Sequence, residues 1–182
     1  MKTRAFVMAV LLLGMMALPM IGTTVPKMDL PALVANSDSI LQGKVEAIDV
    51  VVEQQRPFTR VRIHVEDPIF SRKAARPQTI FLKFLGGRME TSQGPVEVKV
   101  SGMPTFNLGD NVILFLRQQT DGTNFSVVGL NQGKYVVVNE IAIASISGVD
   151  LVDPRTGKFL PSGYTESAPV DGFKARIREL LK

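Results

Sequence analysis

From Ser39 to Val138 the chain alternates apolar and polar residues in short blocks separated by turn residues. Thr59–Phe70 is the cleanest block, with Val61, Ile63 and Val65 on one face and Arg60, Arg62, His64 and Glu66 on the other. Period two of this kind predicts a strand with one face buried and one in water. Ser39–Val52 carries Ile40, Val45, Ile48, Val50 and Val52, and Gly43 within it predicts a bulge or a barrel bend. Thr79–Leu85 is a dense apolar strand that ends sharply at Gly86-Gly87. Val96, Val98 and Val100 alternate with Glu97 and Lys99, which predicts another half-buried strand. Asn111–Leu116 is apolar on both sides, as a central strand would be. Asp121-Gly122 predicts a hairpin turn into Asn124–Val128, and Gly133–Asn139 and Ile141–Ser147 close the series.

Helical signals lie only at the ends of this block. Asp29 is a cap for a short lead-in helix through Leu33 and Val34, with Pro31 tolerated in its first turn. Val149–Val170 is rich in Gly, Pro, Ser and Asp and predicts an extended segment. Asp171 then caps a final helix, Gly172–Lys182, whose Phe173, Ile177, Leu180 and Leu181 form an apolar stripe. Lys174, Arg176, Arg178 and Lys182 make its other face basic, so the helix docks on the strands or lies on a membrane surface or partner. Strands without intervening helices predict an antiparallel barrel or sandwich.

Ahead of the strands, Lys2 and Arg4 precede an apolar run, Ala5–Leu18, which Pro19 and Gly22 end. A charged start, a short apolar core and a small-residue exit form an export signal. The run is shorter than the ~20 residues of a spanning helix. The domain reading is therefore a signal peptide over 1–26, cut within Met20–Lys27, a β-barrel domain over 27–148, an extended segment over 149–170 and a helix over 171–182. The localisation expected is exported, periplasmic or extracellular. The mature chain of about 155 residues is long enough for one sizeable core. It must hold that core without disulfides, because the chain has 0 cysteines.

Composition then narrows the chemistry. The net charge of +4 falls when Lys2 and Arg4 leave, giving 19 basic against 17 acidic residues and no electrostatic footprint for nucleic acid. His64 is the 1 histidine, on the polar face of an alternating strand, so a nucleophile–histidine mechanism has one candidate base. Structural or catalytic zinc needs more Cys and His ligands than this chain holds, and no metal or cofactor is expected. Asp121, Thr123 and Asn124 could offer oxygens to calcium, but the pattern is that of a hairpin turn. Gly129–Lys134 misses the phosphate-loop spacing, and Tyr135 stands where Ser or Thr would bind magnesium. Ser145 and Ser147 lack a glycine-flanked elbow. A carboxylate pair in a cleft is the enzymatic alternative left open.

The run Val34-Ala35-Asn36-Ser37-Asp38-Ser39-Ile40-Leu41-Gln42-Gly43-Lys44-Val45 is similar to the entry segment of a group of uncharacterised exported bacterial domains. Phe84-Leu85-Gly86-Gly87, Ser101–Asp110 leading into Val112–Leu116, and Val127–Tyr135 carry the same likeness, over roughly Leu33–Val138. Gly109-Asp110 opening an apolar strand also resembles the OB-fold of netrin-like and metalloproteinase-inhibitor domains. These resemblances imply a mainly β fold, an OB-like antiparallel barrel with a short N-terminal helix and a C-terminal amphipathic helix. They imply binding to an exported protein partner; the inhibitors' cysteine-based zinc chelation does not carry over. OB-type barrels bind through one sheet face and rim loops. The loops Gly86–Pro95 and Ser101–Asp110 are thus the expected binding surface, with Arg88, Glu90, Ser101, Met103 and Phe106 as candidate contacts. The function expected is a non-enzymatic exported binding module. The alternatives are a carboxylate-based hydrolase and an envelope-associated protein with its C-terminal helix on the membrane.

Overall fold

In the computed structural model residues 23–73, 77–161 and 163–182 are described; the export-signal run lies outside them. In chain order the elements are β1 (Thr24–Pro26), α1 (Leu30–Ala35), β2 (Ser39–Glu53), β3 (Arg56–Ser71), β4 (Thr79–Leu85), β5 (Gly87–Thr91) and β6 (Gly94–Val98). There follow β7 (Asn111–Gln118), β8 (Asn124–Val127), β9 (Lys134–Val138), β10 (Ile141–Ser145), β11 (Asp150–Val152), β12 (Thr165–Pro169) and α2 (Val170–Leu180). With 53% strand against 11% helix the fold is mainly β, as the alternation predicts.

β2 and β3 form one long antiparallel hairpin, from Ser39↔Ser71 to Glu53↔Arg56. Gln54 and Gln55 join them with φ of 49° and 62°, the left-handed pair that a two-residue type I′ turn requires. A Gln-Gln pair carries no turn signal, so both strands run further than their alternation suggests. On β3, Val61 and Ile63 are buried while Arg60, Arg62 and His64 are exposed. Gly43 lies at a register shift between β2 and β3, where a Cβ would stand 2.3 Å from the His64 carbonyl oxygen. The expected bulge is there, and the backbones approach closely at it.

β4 lies beside β3, and β7 lies on the other edge of β2, both antiparallel. β8 pairs antiparallel with β7 and parallel with β4. The main sheet runs in the order β12-β10-β9-β7-β2-β3-β4-β8, and β8 pairs in addition with β7, but the sheets do not form a closed barrel.

β2 and β7 separate two cores, which explains why β7 is apolar on both sides. Leu41, Val45, Val112, Leu114 and Leu116 face an inner cluster with Val61, Ile63, Ile80 and Leu82. Ile40, Ile113 and Phe115 face an outer cluster with Leu33, Tyr135, Ala142, Ala144, Phe173 and Ile177. α1 starts as read: Ala32 N donates to Asp29 Oδ1 at 3.0 Å. α2 docks on the outer core, where the Phe173 ring lies 4.6 Å from Tyr135 and 6.2 Å from Phe115. Lys174 Nζ and Arg178 Nη2 reach Asp67 Oδ2 at 2.9 and 3.3 Å.

Four expectations need correction. Gly86–Pro95 is not a loop: after Gly86 the chain forms the two-stranded ribbon β5–β6, outside the main sheet. Gly86 and Gly87 adopt φ of 128° and 127°, which lets the backbone turn out of β4. Val96, read as facing a core, is 42% exposed on that ribbon. The Val149–Val170 stretch contributes β11, parallel to β1, and β12, antiparallel to β10. Pairing partners far away in sequence make those strands. Finally, Pro169 rather than Asp171 occupies the α2 N-cap position, with no side-chain cap, and Asp171 sits in the first turn, where its charge meets the helix dipole.

Candidate functional site

The strand directions bring the start of β2, the end of β3, the start of β4, the end of β7 and the start of β8 to one end of the sheet. A cleft of about 550 Å³ opens there. Its floor is the inner core, reached at Leu41, Val65 and Ile80, and its walls include Pro68, Phe70, Phe81 and Phe125. Phe81 is 38% exposed, an aromatic ring presented to solvent at the side of an apolar depression. A concave, mainly apolar surface with a few polar groups at its mouth is the usual form of a binding site.

The mouth is braced by a short polar network. Asp38 Oδ1 lies 3.3 Å from Arg72 Nε, and Asp38 Oδ2 accepts from Gln118 N at 3.0 Å. Arg72 also donates to the carbonyl oxygens of Ser37 and Ala35, at 3.0 and 3.1 Å. Asp38 is the one carboxylate lining the cleft among the described residues. In the β7–β8 turn, Asp121 accepts hydrogen bonds from the Asn124 side chain and from the backbone N–H groups of Asn124 and Thr123. Those bonds hold its carboxyl well below the usual range and make this segment the hairpin turn that its sequence suggests.

A second cleft, of about 320 Å³, lies between Met103–Thr105 and the β9–β10 hairpin. Lys134 is its cation: it donates to the Thr105 carbonyl and stands 4.8 Å over the Phe106 ring. Burial lowers its pKa, against the opposing charge of Asp110. On the same wall Asn131 is 7% exposed, and its Oδ1 is without a hydrogen-bond partner. Leaving such a buried acceptor unpaired costs about 1–3 kcal/mol.

A third cluster ties the ends of the chain together. The Tyr135 hydroxyl donates to Glu166 at 2.5 Å, and Lys27 donates to the Tyr164 hydroxyl at 2.6 Å while lying 3.6 Å from Glu166. Burial first, then Glu166, pushes the Tyr135 pKa far up. Burial works against Lys27, but the Tyr164 bond and the Glu166 charge outweigh it and raise its pKa. Gln132 adds a further latch, accepting from Met28 N at 2.8 Å and donating to Pro26 O at 3.1 Å. The phosphate-loop lookalike is thus a turn that holds the N-terminal segment.

The five candidate contacts do not converge on one site. Arg88 and Glu90 pair at 3.7 Å on the exposed β5–β6 ribbon and line neither cleft. Ser101 is exposed in a turn. Met103 lines the second cleft, while Phe106 packs on the inner core beside Phe84 and under Lys134. His64 is half-exposed, its Nδ1 3.9 Å from Glu46 Oε1. The first cleft is at the opposite strand end from both chosen loops. Its one sequence signal is that Phe81, on β4, points out of phase with the buried Ile80 and Leu82.

Comparison with protein-family models, curated proteins and solved structures found no match. Among the described residues no helix is long and apolar enough to cross a membrane, and no group of three or more His, Cys, Asp or Glu side chains converges as a metal site.

Proposed function

We propose that this chain is an exported, non-enzymatic binding module whose main site is the apolar cleft beside Phe81, and that its occupant is an apolar segment of an exported protein partner. The 550 Å³ cleft carries the reading, because it exposes aromatic surface over a finished core. An OB-like barrel is the architecture that best accounts for this. The five strands β2, β3, β4, β7 and β8, with their parallel β4–β8 pair, support that architecture. OB-type barrels bind on the face of their second and third strands and on the loops between the first two and the last two. Here β3, β4 and the β7–β8 turn line the cleft, whereas the β2–β3 turn at Gln54-Gln55 does not. A hydrolase of the two-carboxylate type is less well supported, since Asp38 faces the cleft without a second carboxylate and is bound to Arg72. Membrane contact through α2 would require Phe173 and Ile177 to leave the outer core.

The test is selection of peptides from a displayed random library on the mature protein, followed by binding to the Thr79→Trp variant, whose indole would fill the cleft. Peptides enriched in apolar residues that lose affinity for Thr79→Trp support the reading. Peptides that bind wild type and Thr79→Trp equally would assign the binding surface elsewhere.

A further inference from the structure

The cleft around Lys134 is built differently from the apolar one. Pairing of Val136 with Ile143 sets the β9–β10 register, and the next non-adjacent positions, Lys134 and Ser145, fall on the same face. Val136, Ile143, Lys134 and Ser145 all line the cleft, whereas Tyr135, Ala142 and Ala144 face the outer core. One sheet face therefore presents an ammonium and a hydroxyl side by side, with Ser147 and Asn131 beside them.

One charge and one acceptor there are left without a matching partner within the fold. No carboxylate lies within ion-pair distance of Lys134 among the described residues; Asp110 acts on it only at longer range and is itself bound to Asn107. The Lys134 ammonium is held instead by a neutral carbonyl, Thr105 O, and by the Phe106 ring. Asn131 is fixed by Nδ2 donation to Ser147 O at 3.0 Å, and this orientation leaves its buried Oδ1 as an unmet acceptor. The cleft thus lacks one anion and one donor. We propose that it is a second binding site, for a small carboxylate that carries an adjacent N–H or O–H group. The carboxylate would accept from Lys134 and Ser145, and the donor would meet Asn131. A charge-assisted hydrogen bond in a partly desolvated cleft is the stronger of the two contacts.

The experiment is an NMR titration of the full exported chain with N-acetylglycine, which has both groups, and with N-acetylglycinamide, which keeps the donor but lacks the charge. Saturable shifts of the Asn131 side-chain amide and the Lys134 and Ser145 backbone signals are expected with N-acetylglycine. The uncharged amide and the Lys134→Met variant should each bind at least about tenfold more weakly. Lys134→Arg keeps the charge and should retain shifts at these positions. Equal response to both probes, or no saturable shift in the wild-type chain, overturns the proposal without reference to any variant's folding. Neither result bears on the cleft beside Phe81, which shares no lining residue with this one.

Discussion

Replacing Gly43 by alanine should be among the most destabilising single-methyl changes this chain can suffer. A Cβ at Gly43 would lie 2.3 Å from His64 O and 2.8 Å from Ile63 Cγ2, far inside van der Waals contact. The first of these is backbone, and it cannot swing away as a side-chain tip could. Gly43 is paired with Val65 on one side and with Val112 on the other, so relief must distort two ladders at once. Overpacking of a rigid site costs about 1–3 kcal/mol, and a backbone clash puts this case at the upper end, about 3 kcal/mol. For a domain of this size that lowers the melting temperature by roughly 6–12 °C. Gly172 is the control. It lies in α2, its added Cβ would meet nothing within 4 Å, and Ala is the better helix former. Gly172→Ala should therefore stabilise by about 0.5–1 kcal/mol. Urea unfolding followed by far-ultraviolet circular dichroism suits both variants, because the chain has 0 tryptophans to serve as a fluorescence probe. A Gly43→Ala variant within about 0.5 kcal/mol of wild type, or two variants with shifts of the same sign, would refute the reasoning.

Other outcomes follow from the same contacts. Phe173→Ala should cost about 3–5 kcal/mol in urea unfolding, since its ring is packed between Tyr135 and Phe115; a loss below about 1 kcal/mol would mean that α2 is not docked. Tyr135 and Lys27 both have folded-state pKa values above their ordinary 10.0 and 10.5, so their stabilisation is complete below those values and is lost as pH rises past them. Stability should thus fall above about pH 10, and Tyr135→Phe should flatten that alkaline limb in melts taken between about pH 9 and 11. Asp67→Asn should loosen the end of α2 held by Lys174 and Arg178, seen as faster amide exchange at Arg178–Leu181 than at Phe173. The proposed export predicts that mass spectrometry of the chain expressed in a cell will find a new N-terminus within Met20–Lys27; an intact Met1 would replace the signal peptide by an anchor.

The legible parts of the fold are those governed by neighbours in sequence. Alternation in Thr59–Phe70 gave the buried Val61 and Ile63, and the all-apolar Val112–Leu116 gave a central strand, because a side chain's face follows from its position parity. Asp29 and Asp121-Gly122 were readable because caps and turns depend on a side chain reaching its own backbone two or three residues away. The candidate site was not legible in this way. Its walls come from β3, β4 and the β7–β8 turn, and nothing local tells that Phe81 faces an open cleft while Ile80 and Leu82 face a core. The β5–β6 ribbon was hidden for a related reason. Glycine-rich Gly86–Pro95 has the composition of a loop, yet its two arms pair with each other.

By itself the sequence determined the mainly β character, the position of most strands, the helix at either end and the shortage of histidine and cysteine chemistry. Each depends on residue type or on spacings of a few positions. Only the tertiary structure decided that β8 would bridge β4 and β7, that β2 and β7 would separate two cores, and that the apolar cleft and the Lys134 cleft would form where they do. Those are contacts between residues tens of positions apart. They are set by which buried faces fit together, a quantity that no local pattern encodes.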